Sequence, residues 1–319
     1  MSDQRTFTDA VYANKPRMTR RAQFLTEMDQ VIPWTTVEAL VAPHYPKAGR
    51  GRRPLPMATM LRIYFLPQWF NLSDPQAEDM LYDSEAMRRF ARIDLLQDTV
   101  PDETTICTFR HLLEMHQLTA RMFDAVKALL EERKLLLRAG TIVDATIIGA
   151  PSSTKNATQT RDPEMRQTKK GNQWYFGMKV HVGTDRRGVI HSLTTTDAAT
   201  ADLTQLPQLL HGQETTLHGD KAYDKAEDKL QWELSGGRYL VNKSGPRTAY
   251  KDAINRTRSK TRARVEHAFH VIKRVFGFTK VRYRGLVKNT VRAYAACALA
   301  NLFRMRVDLR AYQLQHQGT

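Results

Sequence analysis

The spacing of apolar residues changes after Ala139, and this change limits the folds that the chain can adopt. Before it, apolar residues recur at the three- and four-residue spacing of helices. After it, the run Gly140 to Ile148 is rich in β-branched residues and contains one charged residue, Asp144. Such runs are typical of buried strands in sheets that are covered on both faces. The sequence therefore predicts an all-α N-terminal domain over residues 1–135, followed by an α/β layered sheet.

Turn and capping signals divide the N-terminal domain into short helices. We predict helices within 22–43 with an interruption at Pro33, over Met57–Phe70, from a capping box at Ser73 to about Tyr82, over Glu85–Ile93, over Glu103–Met115 after a cap at Asp102, and over Leu118–Lys134. A basic arm over 1–20 and a basic loop over 47–56 accompany them. Arginines expected to be exposed, namely Arg88, Arg89, Arg92 and Arg110, are compatible with helix-turn-helix DNA binding, and equally with a domain for packing or dimerisation.

The charge of the chain favours a polyanionic partner. The 319 residues carry a formal net charge of +16 and are 41% hydrophobic, which is ample for a core. Lys243 to Lys288 contains 14 Lys or Arg against two acids, Asp252 and Glu266, so this segment alone carries +12. Such a concentration of positive charge is typical of nucleic-acid binding. Two cysteines outside any metal-ligand pattern indicate a reduced compartment, and no signal peptide or membrane-spanning apolar run is visible.

Two carboxylates stand on or directly after predicted strands. Asp144 lies in the middle of the first strand, where a buried carboxylate is costly unless a cation or hydrogen bonds compensate it. A salt-bridged core aspartate and a metal ligand explain it equally well. Asp220 follows the predicted strand Thr215–Gly219, and ligand sites of α/β sheets gather at such strand ends. We predict that Asp224 caps the next helix, which leaves Asp220 free.

Further strands are predicted around these two acids. They cover Gln173–Thr184, Val189–Thr196 and Arg238–Asn242, with a loop over 150–171 before them. A short helix is predicted over Leu203–Leu210 and an apolar helix over Thr290–Met305.

A third acid lies in a predicted basic helix, Thr257 to Gly277. On a 3.6-residue wheel, its apolar stripe consists of Val265, Phe269, Ile272 and Phe276. A second stripe beside it consists of Arg262, Glu266, His270 and Lys273. Taken alone, the second stripe is typical of a solvated helix with i,i+4 ion pairs, each worth about 0.2–0.5 kcal/mol. The functional interpretation of Glu266 therefore depends on whether the sheet brings other carboxylates to it.

Three carboxylates on a sheet beneath a basic surface suit a divalent metal ion. Mg²⁺ prefers carboxylate oxygens together with the phosphate oxygens of a substrate. Two such ions about 4 Å apart can activate a water or a 3′-hydroxyl and stabilise the leaving oxygen of a phosphodiester displacement. Surrounding cations would then bind the phosphates that dominate DNA affinity. The spacing of the acids is not specific by itself, because many proteins contain three.

Six segments carry a more specific signal. They are PDETTICTFRHLLE (101–114), GTIVDATIIGAPSSTKN (140–156), RDPEMRQTKKGNQWYFGMKVHVG (161–183), TTDAATADLTQL (195–206), HGDKAYD (218–224) and RARVEHAFHVIKRVFGFTKVRYRGLVKN (262–289). Together, and in this order along nearly the whole chain, they resemble bacterial insertion-sequence transposases of the DDE type. The likeness is closest to the insertion-sequence-5 family within the insertion-sequence-4-like group.

The resemblance implies an RNase-H-like mixed-sheet catalytic domain, which we place at residues 136–310 with a tail over 311–319. It implies that Asp144, Asp220 and Glu266 are the catalytic and metal-binding residues. Mg²⁺ is the implied cofactor, with Mn²⁺ able to substitute.

Two positions depart from the pattern of the group. Its Tyr-x2-Arg-x3-Glu-x6-Lys pattern falls on Arg262, Glu266 and Lys273, but Ser259 stands at the tyrosine position. After the second aspartate, Ala222 replaces a glycine that is more usual there. The first departure puts in doubt whatever role the tyrosine has, and the second is expected to stiffen the turn.

The implied function is transposition: binding of the terminal inverted repeats, followed by Mg²⁺-dependent strand cleavage and strand transfer. The expected partners are double-stranded DNA, both element ends and target, and further copies of the chain in a dimer or higher oligomer, in the nucleoid-associated bacterial cytoplasm and away from any membrane. The residues predicted to bind DNA are Arg262, Lys273, Arg264, Lys169, Lys170 and Trp174, although the wheel turns Arg264 away from the acid. Two alternatives stay open, an RNase-H-like nuclease that cuts without joining and a non-catalytic DNA-binding repressor derived from a transposase.

Overall fold

The computed structural model describes residues 17–49, 53–155 and 159–316. Residues 1–16 of the predicted N-terminal arm lie outside the described residues. Residues 50–52 of the predicted basic loop, residues 156–158 of the predicted loop before the hairpin and residues 317–319 of the predicted tail also lie outside them.

Seven helices occupy the described residues before the sheet. They are α1 (Arg20–Val31), α2 (Trp34–Val41), α3 (Met57–Phe70), α4 (Asp74–Asp83), α5 (Glu85–Ala91), α6 (Glu103–Met115) and α7 (Leu118–Glu132). The predicted caps at Ser73 and Asp102 are confirmed: Gln76 N donates to Ser73 Oγ at 3.3 Å, Ser73 N donates to Gln76 Oε1 at 2.9 Å, and Thr105 N donates to Asp102 Oδ1 at 2.6 Å. Helix α3 is buried at every residue from 60 to 69 and lies in the centre of these helices, as its nearly continuous apolar sequence requires.

Arg110 is buried, so the prediction that it is exposed was wrong. Its Nη2 donates to Asp74 Oδ2 at 2.9 Å and its Nη1 donates to Glu114 Oε1 at 3.0 Å. Its guanidinium stacks 4.2 Å from the ring centroid of Tyr283, far along the chain. The interior face of α6 thus carries an ion pair network that joins the helices to the C-terminal segment, and Arg110 is removed from the residues available to DNA.

Six strands form one mixed sheet in the described residues. They are β1 (Gly140–Gly149), β2 (Arg166–Lys170), β3 (Gln173–Thr184), β4 (Ile190–Asp197), β5 (Thr216–His218) and β6 (Arg238–Tyr239). Strand β3 pairs antiparallel with β1 along one side, and with β2 and then β4 along its other side. Strands β1, β5 and β6 run parallel in that order. A helical N-terminal region followed by this mixed sheet is consistent with the RNase-H-like arrangement predicted from the sequence.

Strand β2 corrects the loop predicted over 150–171. Its five residues, Arg166–Lys170, are polar or charged and show no apolar alternation, so the sequence gave no strand signal. They become a strand because they pair with the exposed start of β3, where Lys169 lies opposite Trp174. The predicted strand Arg238–Asn242 is shorter in the structure, because β6 ends at Tyr239.

The elements after β4 complete the second part of the fold. They are 3₁₀ turns at Asp202–Gln205 and Lys221–Tyr223, helices α8 (Leu206–Leu209), α9 (Ala226–Leu234), α10 (Ala249–His270) and α11 (Leu286–His316), and a π-helical turn at Val271–Val275. The basic helix α10 begins at Ala249, earlier than the predicted Thr257, because Thr248 Oγ1 caps it by accepting from Lys251 N at 3.2 Å. Helix α11 extends to His316, so residues 311–316 continue a helix that was predicted to end before a tail.

The sheet is covered on both faces, as the composition of β1 predicted. Ile142 and Ile148 belong to a large core that also includes the N-terminal helices, α10 and α11. Val143, which points to the opposite face, packs in a smaller cluster with Leu217 and Tyr223. Asp144 therefore lies on the face that α10 covers. No helix in the described ranges is both long and apolar enough to cross a membrane.

Candidate active site

Helix α10 lays its basic stripe across the middle of β1. The apolar stripe predicted for this helix is confirmed, because Val265, Phe269, Ile272 and Phe276 are all buried. That burial turns Arg262 and Lys273 of the neighbouring stripe toward the strand, while Glu266 and His270 stay exposed. Arg262 Nη1 donates to Asp144 Oδ2 at 3.1 Å, and Lys273 Nζ donates to Thr146 Oγ1 at 3.2 Å and to the carbonyl oxygen of Ile147 at 3.0 Å.

Asp144 is a buried carboxylate with incomplete compensation. Its side chain is 16% exposed, and burial raises its pKa to about 6. The charge of Asp220 raises this pKa further, which places the two acids within electrostatic reach of each other. Arg262, the Ala145 N–H at 2.9 Å and Lys170 act in the opposite direction but do not restore the usual pKa. The sequence predicted a free-energy cost for burying an ionised carboxylate in the middle of the strand, and the raised pKa reflects that cost. An added cation would reduce it.

Asp220 follows β5 as predicted, but the turn after it differs from the prediction. Its Oδ1 accepts a hydrogen bond from Ala222 N at 2.8 Å and so caps the 3₁₀ turn. The predicted cap at Asp224 was wrong, because α9 begins after Lys225 and Asp224 Oδ2 accepts instead from the backbone N and the hydroxyl of Ser244. The second oxygen of Asp220 accepts no hydrogen bond from the described residues, so it is available to a ligand.

Glu266 lies on the other side of Arg262 from Asp144. Its side chain is 61% exposed, and its Oε1 lies 3.5 Å from Nη2 of Arg262. The other terminal nitrogen of Arg262, Nη1, donates to Asp144. Within the described ranges, no three His, Cys, Asp or Glu side chains are grouped closely enough to hold a metal ion. Asp144 and Asp220 fit a divalent cation by charge and burial. Glu266 would join them only if its exposed side chain turned away from Arg262.

Two family matches assign the chain. Residues 136–302 match the family described as Transposase DDE domain, and residues 14–112 match the Transposase domain (DUF772) family. The chain belongs to the DDE transposases. A search of the solved structures finds no match. Membership implies an enzyme of the nucleotidyl-transferase or endonuclease type with DNA as its partner, and DDE transposases generally use divalent metal ions.

Tyr223 is a residue of the transposase site that the sequence analysis did not single out. Its ring is fully buried, and its hydroxyl has no hydrogen-bond partner in the described part of the chain. Burial, followed by the charges of Asp202, Asp144 and Asp220, raises its pKa. Its position three residues after Asp220, within the segment HGDKAYD, was the available signal. Tyr223 packs with Val143 and Leu217 in the smaller cluster, which anchors the turn after Asp220.

The structure brings some of the predicted DNA-binding residues of the transposase together. Lys170 acts electrostatically on both Asp144 and Lys273, so the end of β2 lies near Asp144. Lys169 Nζ is 5.9 Å from the ring centroid of Trp174, whose ring is 64% exposed. An exposed aromatic beside cations is a suitable DNA contact.

Arg264 lies apart from this group. It is exposed, and its carbonyl approaches Gly188 in the β3–β4 turn, away from the stripe that holds Glu266.

The pKa of Asp144 predicts a pH effect on the stability of the metal-free transposase. A folded-state pKa near 6, above the usual 3.8, means that the folded state retains a proton that the unfolded state has lost. This group therefore destabilises the fold as pH rises from about 4 to about 6. Asp144→Asn is expected to raise the free energy of unfolding at pH 7.5 by about 1–3 kcal/mol.

Denaturant unfolding in EDTA between pH 4 and 8 measures this effect. The buried histidines His181, His191 and His218, each with its pKa lowered to about 4, stabilise the fold as pH rises, so the difference between wild type and variant is the quantity to follow. Asp124→Asn, at a 65% exposed side chain, is the matched control. An equal pH dependence in both variants would contradict the assignment.

Proposed function

We propose that this transposase binds the terminal inverted repeats of its insertion sequence and catalyses Mg²⁺-dependent strand cleavage and strand transfer. Asp144, Asp220 and Glu266 are the proposed catalytic acids. One observation carries the proposal: a buried, incompletely compensated Asp144 lies within electrostatic reach of Asp220, beneath the basic stripe of α10. This arrangement disfavours the empty, ionised site and favours a cation between the two acids.

The acids and the residues around them have different proposed roles. Asp144 and Asp220 would hold the metal, and Glu266 would complete its ligands once its side chain leaves Arg262. When bound, Mg²⁺ supplies activation of a water or 3′-hydroxyl and stabilises charge on the leaving oxygen. Arg262, released from the carboxylates, is then placed to bind a phosphate of the DNA backbone. Lys170 adds a positive charge on the hairpin side, so the cleaved strand would lie between α10 and β2.

The finer assignments rest on the six sequence segments. Their order supports placement in the insertion-sequence-5 family of the insertion-sequence-4-like group. Ser259, at the position of the group's tyrosine, accepts a hydrogen bond from Asn242 Nδ2 at 3.1 Å, so in this chain the position ties α10 to the segment after β6. We propose residues 1–135 as a DNA-binding or dimerisation domain, residues 136–310 as the catalytic domain, and a dimer or higher oligomer on DNA in the bacterial nucleoid.

Lys273→Ala is expected to weaken binding to element-end DNA and to reduce the slope of log affinity against log salt by about one unit. The half-buried ammonium already binds β1 through two oxygens, which holds it close to the acids and directs its charge at their ligand. Fluorescence anisotropy across a salt series measures the change, with Lys127→Ala on α7 as the control. Unchanged DNA binding together with lower stability would mean that Lys273 serves the fold instead.

A cleavage and joining assay tests the proposed function. The purified chain is incubated with Mg²⁺, a labelled fragment that carries an element end, and a supercoiled target plasmid. Cleavage at the end followed by covalent joining to the plasmid is the expected result. Cleavage without joining would identify a nuclease, and sequence-specific binding without cleavage would identify a repressor.

A further inference from the structure

A second cavity lies on the same face of the sheet as Asp144, closer to the N-terminus of α10. Its volume is about 560 Å³, and it is formed between the first turns of α10 and strands β5 and β6. Its polar residues include Arg186, His218, Arg238 and Arg258, and Tyr250 stands at its side. We call it the arginine pocket and define it by these five residues. The proposed catalytic mechanism does not use it.

The charge of the arginine pocket is unbalanced. None of its lining residues is acidic, and none of its three arginines forms an ion pair with a carboxylate in the described ranges. Arg258 donates to the carbonyl oxygen of Val241, and Arg186 Nη2 lies 3.5 Å from Thr216 Oγ1. These contacts orient the guanidinium groups without neutralising them. An anionic ligand with several oxygens, such as a phosphate, is what such a group of arginines binds best.

His218 gives a second, independent indication of a ligand. It is only 4% exposed, yet neither ring nitrogen has a hydrogen-bond partner among the described residues. A neutral imidazole presents one donor and one acceptor, and buried polar groups are almost always paired. An ionised phosphate oxygen only accepts, whereas the edge of a nucleobase carries both a donor and an acceptor and can pair with both ring nitrogens.

The remaining walls of the arginine pocket combine apolar and aromatic side chains with two threonines, Thr257 and Thr261. Leu240 and Ile254 line it, and the ring of Tyr250 is 72% exposed with Lys243 Nζ 5.7 Å from its centroid. The cavity is much larger than a phosphate and falls within the range of about 300–1,000 Å³ typical of small-molecule sites. Its occupant should therefore combine an anionic group with a flat, polar-edged ring.

We propose that the arginine pocket binds a nucleotide. The arginines hold its phosphate, the base stacks on Tyr250, and the edge of the base pairs with the donor and acceptor of His218. A free mononucleotide and a nucleotide within a DNA strand share this chemistry. The second source rests on the proposed function: Arg258 precedes Arg262 by one helical turn, about 6 Å along α10, which a strand bound at Asp144 could bridge in about one nucleotide step.

Binding of defined probes to the full-length protein in EDTA tests the proposal. The probes are AMP, inorganic phosphate and a single-stranded decanucleotide, measured by calorimetry or fluorescence anisotropy. Tyr250→Ala, which leaves the charge unchanged, is expected to weaken nucleotide binding about tenfold, while Tyr82→Ala on α4 leaves it unchanged. Arg238→Gln should weaken it about tenfold, and Arg256→Gln, an exposed cation of α10 outside the pocket, by less than about threefold. Thermal unfolding checks that each variant is folded.

The outcomes separate the possibilities. Tight binding of AMP with these losses identifies a free nucleotide as a ligand, and the same losses with the decanucleotide alone identify a strand nucleotide. The proposal is overturned if phosphate binds as tightly as AMP or if no probe binds. It is also overturned if Tyr250→Ala has no effect while Arg238→Gln and Arg256→Gln weaken nucleotide binding equally. A wild-type protein that binds nucleotide but neither cleaves nor joins DNA would overturn only the proposed function.

Discussion

Asp144→Asn is expected to reduce Mg²⁺-dependent cleavage of end-containing DNA by at least about a thousandfold, with DNA affinity changed by less than about threefold. Asparagine preserves the shape of the side chain but removes the negative charge that the metal requires. Binding should survive because phosphate contacts from the surrounding cations dominate the affinity. Cleavage is followed on a labelled end fragment, and affinity on the same fragment in EDTA.

The control for this substitution is Asp124→Asn, which removes an exposed carboxylate on α7 and should retain full activity. Loss of cleavage together with loss of DNA binding would indicate a folding defect, which the stability measurement above would reveal. Cleavage by Asp144→Asn at a rate near that of wild type would remove Asp144 from the catalytic residues.

Arg110→Met is expected to lower the free energy of unfolding by about 3–5 kcal/mol. The substitution keeps the apolar length of the side chain but removes the guanidinium partner of Asp74 and leaves Glu114 with the more distant His111 at 3.9 Å. The two carboxylates have side-chain exposures of only 17% and 11%. The substitution also removes the guanidinium that stacks on Tyr283, so the N-terminal helices lose a contact with the C-terminal segment. Urea denaturation measures the loss.

Lys127→Met is the matched control, because Lys127 pairs with a well-exposed carboxylate of Asp124 and should contribute less than about 1 kcal/mol. If Arg110→Met proved as mild as this control, the buried network would not be what holds α6 against the rest of the chain. A large loss of stability with cleavage per folded molecule unchanged would confirm that Arg110 acts through the fold alone.

Local sequence signals predicted the helices well. The side chains of Ser73 and Asp102 start α4 and α6 as expected, because a cap depends on three or four consecutive residues. Strand β2 was missed because its own sequence has no strand pattern. It becomes a strand only through its pairing with β3. The burial of Arg110 was missed for a similar reason: its partner Asp74 lies 36 residues away, and Tyr283 is further still.

The candidate site shows the same division between local and distant information. The sequence predicted the cost of Asp144 and the i,i+4 proximity of Arg262 to Glu266, which the structure places 3.5 Å apart. It could not predict that Arg262 also reaches Asp144, 118 residues away, or that Lys273 binds the backbone of β1. Nor could it predict which aspartate caps a turn. Asp220 caps the 3₁₀ turn, while Asp224 is engaged by Ser244, which lies 20 residues further along the chain.

The position of Glu266 is the point on which the catalytic proposal depends most. Arg262 bridges it to Asp144 in the described structure, while its exposed side chain leaves it free to move. If the three acids act as one unit, removing any of them should abolish the same step, and removing two should cost no more than removing one.

Cleavage rates of Asp220→Asn, Glu266→Gln and the double variant Asp144→Asn/Glu266→Gln test this directly. We expect both single variants and the double variant to fall to one residual rate, at least about a thousandfold below wild type. A Glu266→Gln variant that cleaves within about threefold of wild type, while Asp220→Asn is inactive, would contradict a three-carboxylate site and leave Glu266 as a surface partner of Arg262.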